Sequence, residues 1–321
     1  MPRKSLNPTV MGKAYEFACV NALKELLENI RPIEIIKNSS LTVAQDRYNE
    51  IPKDEQDKMF KSAIAGIKTI MDMEPRIEED GNDKLTISLQ PDNVAVSGDV
   101  RDILIIRRSI EWEIGISVKH NHAALKHSRL SKKLDFGKEW FDINCSENYF
   151  YEIAPIFDNL MSMKKEQKQW SEVLNKSETI YIPILNAFMK ELNSLYEKHK
   201  NLVAEKIVIY LIRSNGKDYY KMIHRNNNKI KVQPFNIYGT LNKRATNKEP
   251  GIKYKKIKFP TKIIDLSLKE NSKTTVVLTM DNGWAITFRI HNAEKKIIPS
   301  LKFDIQLLGQ PAELYYKEVD W

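Results

Sequence analysis

The chain has 321 residues, 42% of them hydrophobic, and a formal net charge of +9. That length admits one large domain or a catalytic core with a second lobe, and that composition excludes global disorder. No apolar run approaches the ~20 residues of a membrane helix, and two cysteines, Cys19 and Cys145, exclude a disulfide framework or a standard zinc spacing.

The start, "MPRKSLNPTVMGKAYEF", carries charge but no apolar h-region, which argues against a secretory signal and for a reducing cytoplasm. Charge is unevenly spread. Residues 201–321 hold 22 lysines and arginines against 11 acids, and within 226–262 ten basic residues meet one acid, Glu249. A basic second half beside a near-neutral first half points to a polyanion-binding surface.

In chain order, "MGKAYEFACVNALKELLEN" predicts an amphipathic helix with Ala14, Phe17, Val20, Leu23 and Leu27 on one stripe. "PKDEQDKMFKSAIAGIKTIMDM" predicts a second, with Pro52 at its start, acids in its first turn and a stripe through Phe60, Ile64, Ile67 and Met71. "DKLTISLQ" alternates as a strand does, and "VRDILIIR" reads as a buried strand. "IEWEIGISVK" follows so closely that the two form a hairpin. "HAALKHSRL" reads as helical, as does most of 147–199, with breaks near Pro155, Lys176–Glu178 and Pro183. "EKIVIYLIR" reads as a strand. Two β-rich runs flank Asp281-Asn282-Gly283, a hairpin signal, and "SLKFDIQLL" is a further strand. "HRNNNKIK" and "GTLNKRATNKEPGIKYKKIKF" read as basic loops. The expected organisation is an α/β core over 1–204 with a helical insertion, and a basic, β-rich region over 205–321, separate or integral.

The chemistry concentrates in the hairpin. In "IEWEIGISVK", Ile110, Trp112, Ile114, Ile116 and Val118 form an apolar face, while Glu111, Glu113, Gly115, Ser117 and Lys119 form a polar line. The preceding strand brings Asp99 and Asp102. Which of them shares the polar face depends on register, because a one-residue slip exchanges the faces. A carboxylate beside a lysine suits phosphodiester hydrolysis. The carboxylate holds Mg²⁺, a hard ion that takes oxygen ligands, and the ammonium stabilises charge on the phosphate.

"GDVRDILII…WEIGISVKHNHAALKHSRLS" resembles the central block of the HaeIII-type type II restriction endonucleases, members of the PD-(D/E)xK nuclease superfamily. "GKAYEFACVNAL" and "SLKFDIQLLG" also fit that family. The resemblance implies an α/β (α+β) fold with a mixed central sheet flanked by helices. It implies a Mg²⁺-dependent enzyme cutting double-stranded DNA at a short palindrome, GGCC by resemblance alone, with a cognate DNA methyltransferase as genetic partner. A palindrome is commonly read by a symmetric dimer, so a homodimer is one expectation and a monomer nicking in sequence the other.

The chain departs from the superfamily motif at Ser117, where an acid is expected. Glu113 shares the polar face but lies about 13 Å from Ser117 along a strand. Glu16, on the first helix, is the better substitute, because nucleases of this fold often bring a glutamate from that helix. Asp135 or Glu139 is a third option.

Contiguous His120-Asn121-His122 cannot adopt the geometry of a His-Asn-His nuclease, whose residues are spread along the chain. No cysteine is near, and the spacing is no standard zinc site. Asn121 is a candidate helix cap. His120, His122, Lys126, His127 and Arg129 are candidate contacts to the DNA backbone. Arg225, Asn226, Asn227 and Asn228, then Asn242, Lys243 and Arg244, then Arg289 and His291 are candidates for reading DNA, most of them through phosphate. Two alternatives remain at this point: a DNA-repair or structure-specific nuclease of the same fold, and a non-enzymatic nucleic-acid-binding protein.

Overall fold

The computed structural model describes residues 7–79, 83–91, 99–121, 125, 128–212, 216–292 and 294–321. Among the described residues six α-helices span α1 Pro8–Leu27, α2 Ser39–Glu50, α3 Lys53–Met73, α4 Phe136–Phe141, α5 Glu147–Lys165 and α6 Ile182–Ile212, the last kinked at Lys200. Among the same residues twelve strands span β1 Ile33–Ile35, β2 Leu85–Leu89, β3 Ile103–Arg107, β4 Trp112–His120, β5 Arg129–Leu130, β6 Tyr219–Arg225, β7 Lys229–Phe235, β8 Ile263–Leu268, β9 Thr275–Met280, β10 Ala285–Asn292, β11 Leu301–Gly309 and β12 Lys317–Asp320. No described helix is long and apolar enough to cross a membrane.

The chain divides into two compact units, each built from interleaved segments. The first comprises residues 1–123, 213–257 and 313–321; the second comprises 124–212 and 258–312. This division does not follow the boundary expected at 204/205, which falls inside α6. The basic segment over 226–257 therefore belongs with the N-terminal helices and not with the C-terminal hairpins.

The first unit holds a seven-stranded mixed sheet in the order β1-β2-β3-β4-β6-β7-β12. Its β1–β2 and β4–β6 pairs are parallel and the others antiparallel. Helices α1 and α3 share one hydrophobic core with this sheet, and both are stabilised by that burial. The core includes Ala14, Leu23 and Leu27 of α1, Ala63, Ile67 and Ile70 of α3, and Ile114 and Ile116 of β4. Each such large aliphatic side chain contributes ~1.5–3 kcal/mol by leaving water. Asn7 caps α1 by accepting from Thr9 N, with Pro8 in the first turn. On α3, Gly66 lets the helix sit against the sheet: a Cβ there would lie 2.3 Å from Met222 Sδ and 2.6 Å from Ile230 Cδ1.

The second unit contains a five-stranded sheet in the order β5-β11-β10-β9-β8, together with α4, α5 and α6. Phe136, Trp140, Phe188, Phe288 and Phe303 pack there as an aromatic core.

The expected mixed sheet flanked by helices is present, as are the first two helices, the β3–β4 hairpin and the hairpin at Asp281–Gly283. Four expectations are corrected. "EKIVIYLIR" is not a strand but the end of α6: Val203, Ala204, Ile207, Val208 and Leu211 are buried at helical spacing, and packing of that stripe overrides β-branched propensity. Pro155 lies inside α5 without ending it. Of "HRNNNKIK", His224 and Arg225 end β6, Asn226, Asn227 and Asn228 form a tight turn with Asn228 at φ 57°, and the rest begins β7. Of "HAALKHSRL", Arg129 and Leu130 form a strand, and most of the rest lies outside the described residues.

Candidate active site

The β3–β4 hairpin sets the register that the sequence left open. Ile103 pairs with Ile116 and Ile105 with Ile114. Asp102 stands one residue before β3, held from both sides: its amide donates to Ile116 O at 2.9 Å and its carbonyl accepts from Gln90 N at 2.8 Å. Its Oδ2 accepts from Val118 N at 2.6 Å, from Lys119 Nζ at 3.1 Å and from the Ser117 hydroxyl at 3.4 Å. Asp102, Ser117 and Lys119 are therefore one cluster. Lys119 and Asp102 keep partial solvent access, while Ser117 is buried and serves the aspartate as a hydrogen-bond donor.

Glu16 joins this cluster from α1. It is buried and paired with Lys13 at 2.9 Å. Burial, and next the charge of Asp102, push its carboxyl up to about 7, while Lys13 and Lys119 pull the other way. The helix is fixed here by the preceding residue. Tyr15 packs on His224 at 5.1 Å and His120 at 6.2 Å, and its hydroxyl meets Ser62 Oγ at 3.0 Å.

Asp99 and Glu113 go elsewhere. Arg101 takes Asp99 with Nε (2.9 Å) and Nη2 (2.7 Å), and reaches Glu113 with Nη1 at 2.6 Å. Burial alone would raise the Asp99 carboxyl, but the Arg101 hydrogen bonds and charge win and hold it below its ordinary range. Asp99, expected as a metal ligand, and Glu113, expected as a catalytic residue, are thus both engaged by Arg101 in one ion triad. Asp135 and Glu139 belong to the second unit. Asp135 caps α4 and accepts from Cys145 N, and Glu139 accepts from the Tyr210 hydroxyl.

Among the described residues no group of three or more histidines, cysteines and acids could hold a metal ion. Asp102 and Glu16 fit a different donor set. Two carboxylates raise each other's cost of ionisation when they face the same space, and Mg²⁺ is commonly held by one or two carboxylates with water and phosphate completing its octahedron.

Two residues at the site were missed in the sequence: Lys221 and His224, both on β6. The parallel pairing sets Ser117 opposite Lys221 and His120 opposite His224. Lys221 is only 4% exposed. Burial, then the like charges of Lys119 and Lys231, lower its amine to about 7 against the pull of Asp102. The available signal was a lysine inside the otherwise apolar run "YYKMI" and a histidine directly after it. His224 stacks on His120 at 4.8 Å and on Trp321 at 5.0 Å. Burial lowers both imidazoles, His224 to about 4. His120 is thus held in a stack on His224 with Tyr15 at its edge.

The expected DNA contacts are dispersed. Asn121 is in the left-handed region at φ 54° and donates to Asn226 Oδ1 at 2.6 Å. Its expected helix, like His122, Lys126 and His127, lies outside the described residues. Arg225 pairs with Glu318 at 3.5 Å, and Asn226, Asn227 and Asn228 form the following turn. Lys243 and Arg244 are exposed in the first unit. Asn242, by contrast, staples the loop by donating to Met73 O and Ile252 O. Arg129, Arg289 and His291 belong to the second unit; Arg289 lies 3.4 Å from Asp304, and His291 Nδ1 bonds Asn292 O.

Comparison with known proteins selects among the open alternatives. The family model of the HaeIII restriction endonuclease matches residues 12–311. The Type II restriction enzyme HaeIII of Haemophilus aegyptius is 46% identical over 311 residues, which cover 97% of this chain and 97% of that relative. With an aspartate and a lysine clasped across a hairpin in the matched region, the chain belongs to the HaeIII restriction endonuclease family and is a restriction endonuclease.

Proposed function

We propose that the protein is a Mg²⁺-dependent type II restriction endonuclease that hydrolyses phosphodiester bonds of double-stranded DNA at a short palindrome, GGCC being the site that the family resemblance implies. The observation that carries this reading is the 3.1 Å contact between Asp102 Oδ2 and Lys119 Nζ across β3 and β4.

Asp102 and Glu16 are the residues that would hold the ion, whose chemistry is to polarise a phosphate oxygen and acidify a bound water. The Val118 amide and the Ser117 hydroxyl orient the Asp102 carboxylate. A donor at 117 in place of an acid leaves Glu16 as the second carboxylate. Lys119, about one-third exposed at its side chain, presents an ammonium to the scissile phosphate, where it stabilises the negative charge that builds as water attacks.

DNA is engaged through basic residues that each unit supplies separately. Lys243, Arg244, Arg225 and the Asn226–Asn228 turn are the contacts we assign to the first unit, and Arg129, Arg289 and His291 those we assign to the second; His122, Lys126 and His127 follow β4 in sequence. A homodimer suits a palindromic site, and a cytoplasmic setting with a cognate methyltransferase suits a restriction enzyme.

The test is a digest of a long, sequenced duplex with and without Mg²⁺, beside the Lys119→Ala variant. Discrete fragments that need Mg²⁺ and vanish in the variant support the reading, and their ends give the site. Intact DNA, or a smear indifferent to Lys119, refutes it.

A further inference from the structure

Asp102 faces a concentration of cations. Lys119 touches it from β4, and Lys221 reaches it electrostatically from the parallel neighbour β6, where register places Lys221 beside Ser117. Lys13 pairs with the other acid, Glu16. Three amines and two carboxylates share this region, and because the two most buried of them, Glu16 and Lys221, carry opposite charges, the site has an excess of positive charge with that pair ionised or neutral, before any substrate arrives. Such a site repels a divalent cation. A phosphate backbone reverses the balance, since each phosphate adds one negative charge. Lys119 is partly exposed and can turn to the phosphate. Lys221 cannot leave, because its side chain is confined within the sheet face at 4% exposure, where charge is weakly screened.

We propose that Lys221 is a positioning residue: a buried cation that competes with the divalent ion for the Asp102 carboxylate, so that the ion loads with DNA and not before it. This rests on the reading of Asp102 and Glu16 as the ion's ligands. Lys221 acts through Asp102 and touches neither substrate nor ion. Its position on β6 gives it a constant place, set by the Ser117–Lys221 register.

The experiment is calorimetric titration of Ca²⁺ at neutral pH, with no turnover required. It uses the whole protein, free and bound to a duplex carrying the cleavage site. Wild type is compared with Lys221→Met, an apolar side chain of similar length that removes a buried charge without leaving a void, and with Lys221→Gln as a second replacement. Melting curves establish that each variant is folded. The expected result is ion binding about five-fold tighter or more in DNA-free Lys221→Met, as removal of one nearby like charge dictates, and a smaller gap between free and DNA-bound protein. A packing lesion would not tighten ion binding. Unchanged Ca²⁺ affinity in both folded variants overturns the proposal. Asp102→Asn is the control for the underlying site. If it leaves ion binding to the DNA complex intact, the ligand assignment fails; if it abolishes binding while the Lys221 variants match wild type, only the role of Lys221 fails.

Discussion

Arg101 crosses the polar face of β4 directly above Gly115, so closely that a Cβ on residue 115 would lie 2.1 Å from Arg101 Cδ and 2.9 Å from Arg101 Cβ. The glycine is what allows one guanidinium to reach Glu113 on one side and Asp99 on the other. Gly115→Ala must displace the arginine from its base, not merely its tip. We expect a loss of at least ~1–3 kcal/mol, the usual cost of overpacking a closed site, read as a lower denaturation midpoint.

Asp99 and Asp102 sit three residues apart and separate by measurement. Asp99 is buried against Arg101, so Asp99→Asn should cost roughly 3 kcal/mol of stability, as breaking a buried ion pair does. Asp102→Asn should instead lower single-turnover cleavage by ~100-fold or more with a melting temperature near wild type and DNA binding retained. The reverse pattern would mean that the metal-binding acid is Asp99.

Glu74 offers a pH signature away from the site. It is fully buried, accepts from the Tyr220 hydroxyl and the Asn242 amide, and burial raises its carboxyl to about 7. A folded-state pKa above the unfolded value means that the native protein binds the extra proton. The associated stability is full below pH ~4.5 and is lost as pH rises toward ~7, by roughly 3 kcal/mol at most. Glu74→Gln should flatten that part of the stability–pH curve. Equal slopes in the variant and wild type between these limits would count against a protonated Glu74.

Lys243 and Arg244 are exposed on the loop that Asn242 anchors. If each neutralises a phosphate, replacing either with alanine reduces the slope of log K against log salt by about 0.9. Fluorescence-anisotropy titrations of a duplex at several salt concentrations would show this. A variant with weaker binding at unchanged slope would indicate base contact or folding instead.

Strand β4 was legible because its two faces differ in polarity and leave a period-two trace: Trp112, Ile114, Ile116 and Val118 are buried, as their alternation demands, although Gly115 and Ser117 on the polar face are buried as well. The same logic exposed Ser117 and Lys119. It failed at Ile110, which lies in the 3-10 turn and is 45% exposed, because a hairpin turn interrupts the alternation. It failed again at "EKIVIYLIR", where an apolar run short enough for a strand lies in the helical segment that follows the kink at Lys200; local composition cannot separate the two.

Sequence alone was sufficient for the properties that depend on local order along the chain: the amphipathic helices, the apolar face of β4, the lysine that ends its polar line, and the family resemblance. The partnerships depended on the tertiary arrangement. Asp102, not Asp99, meets Lys119 because the Ile103–Ile116 register and the Arg101 clamp divide the two aspartates. Glu16 comes into the field of Asp102 only because Tyr15 seats α1 on the end of β4 and β6. Lys221, about a hundred residues from Ser117 in sequence, becomes its neighbour through a parallel pairing. Parallel strands and helix-to-sheet contacts join residues by long-range geometry, and no spacing along the chain encodes which side chains that geometry brings together.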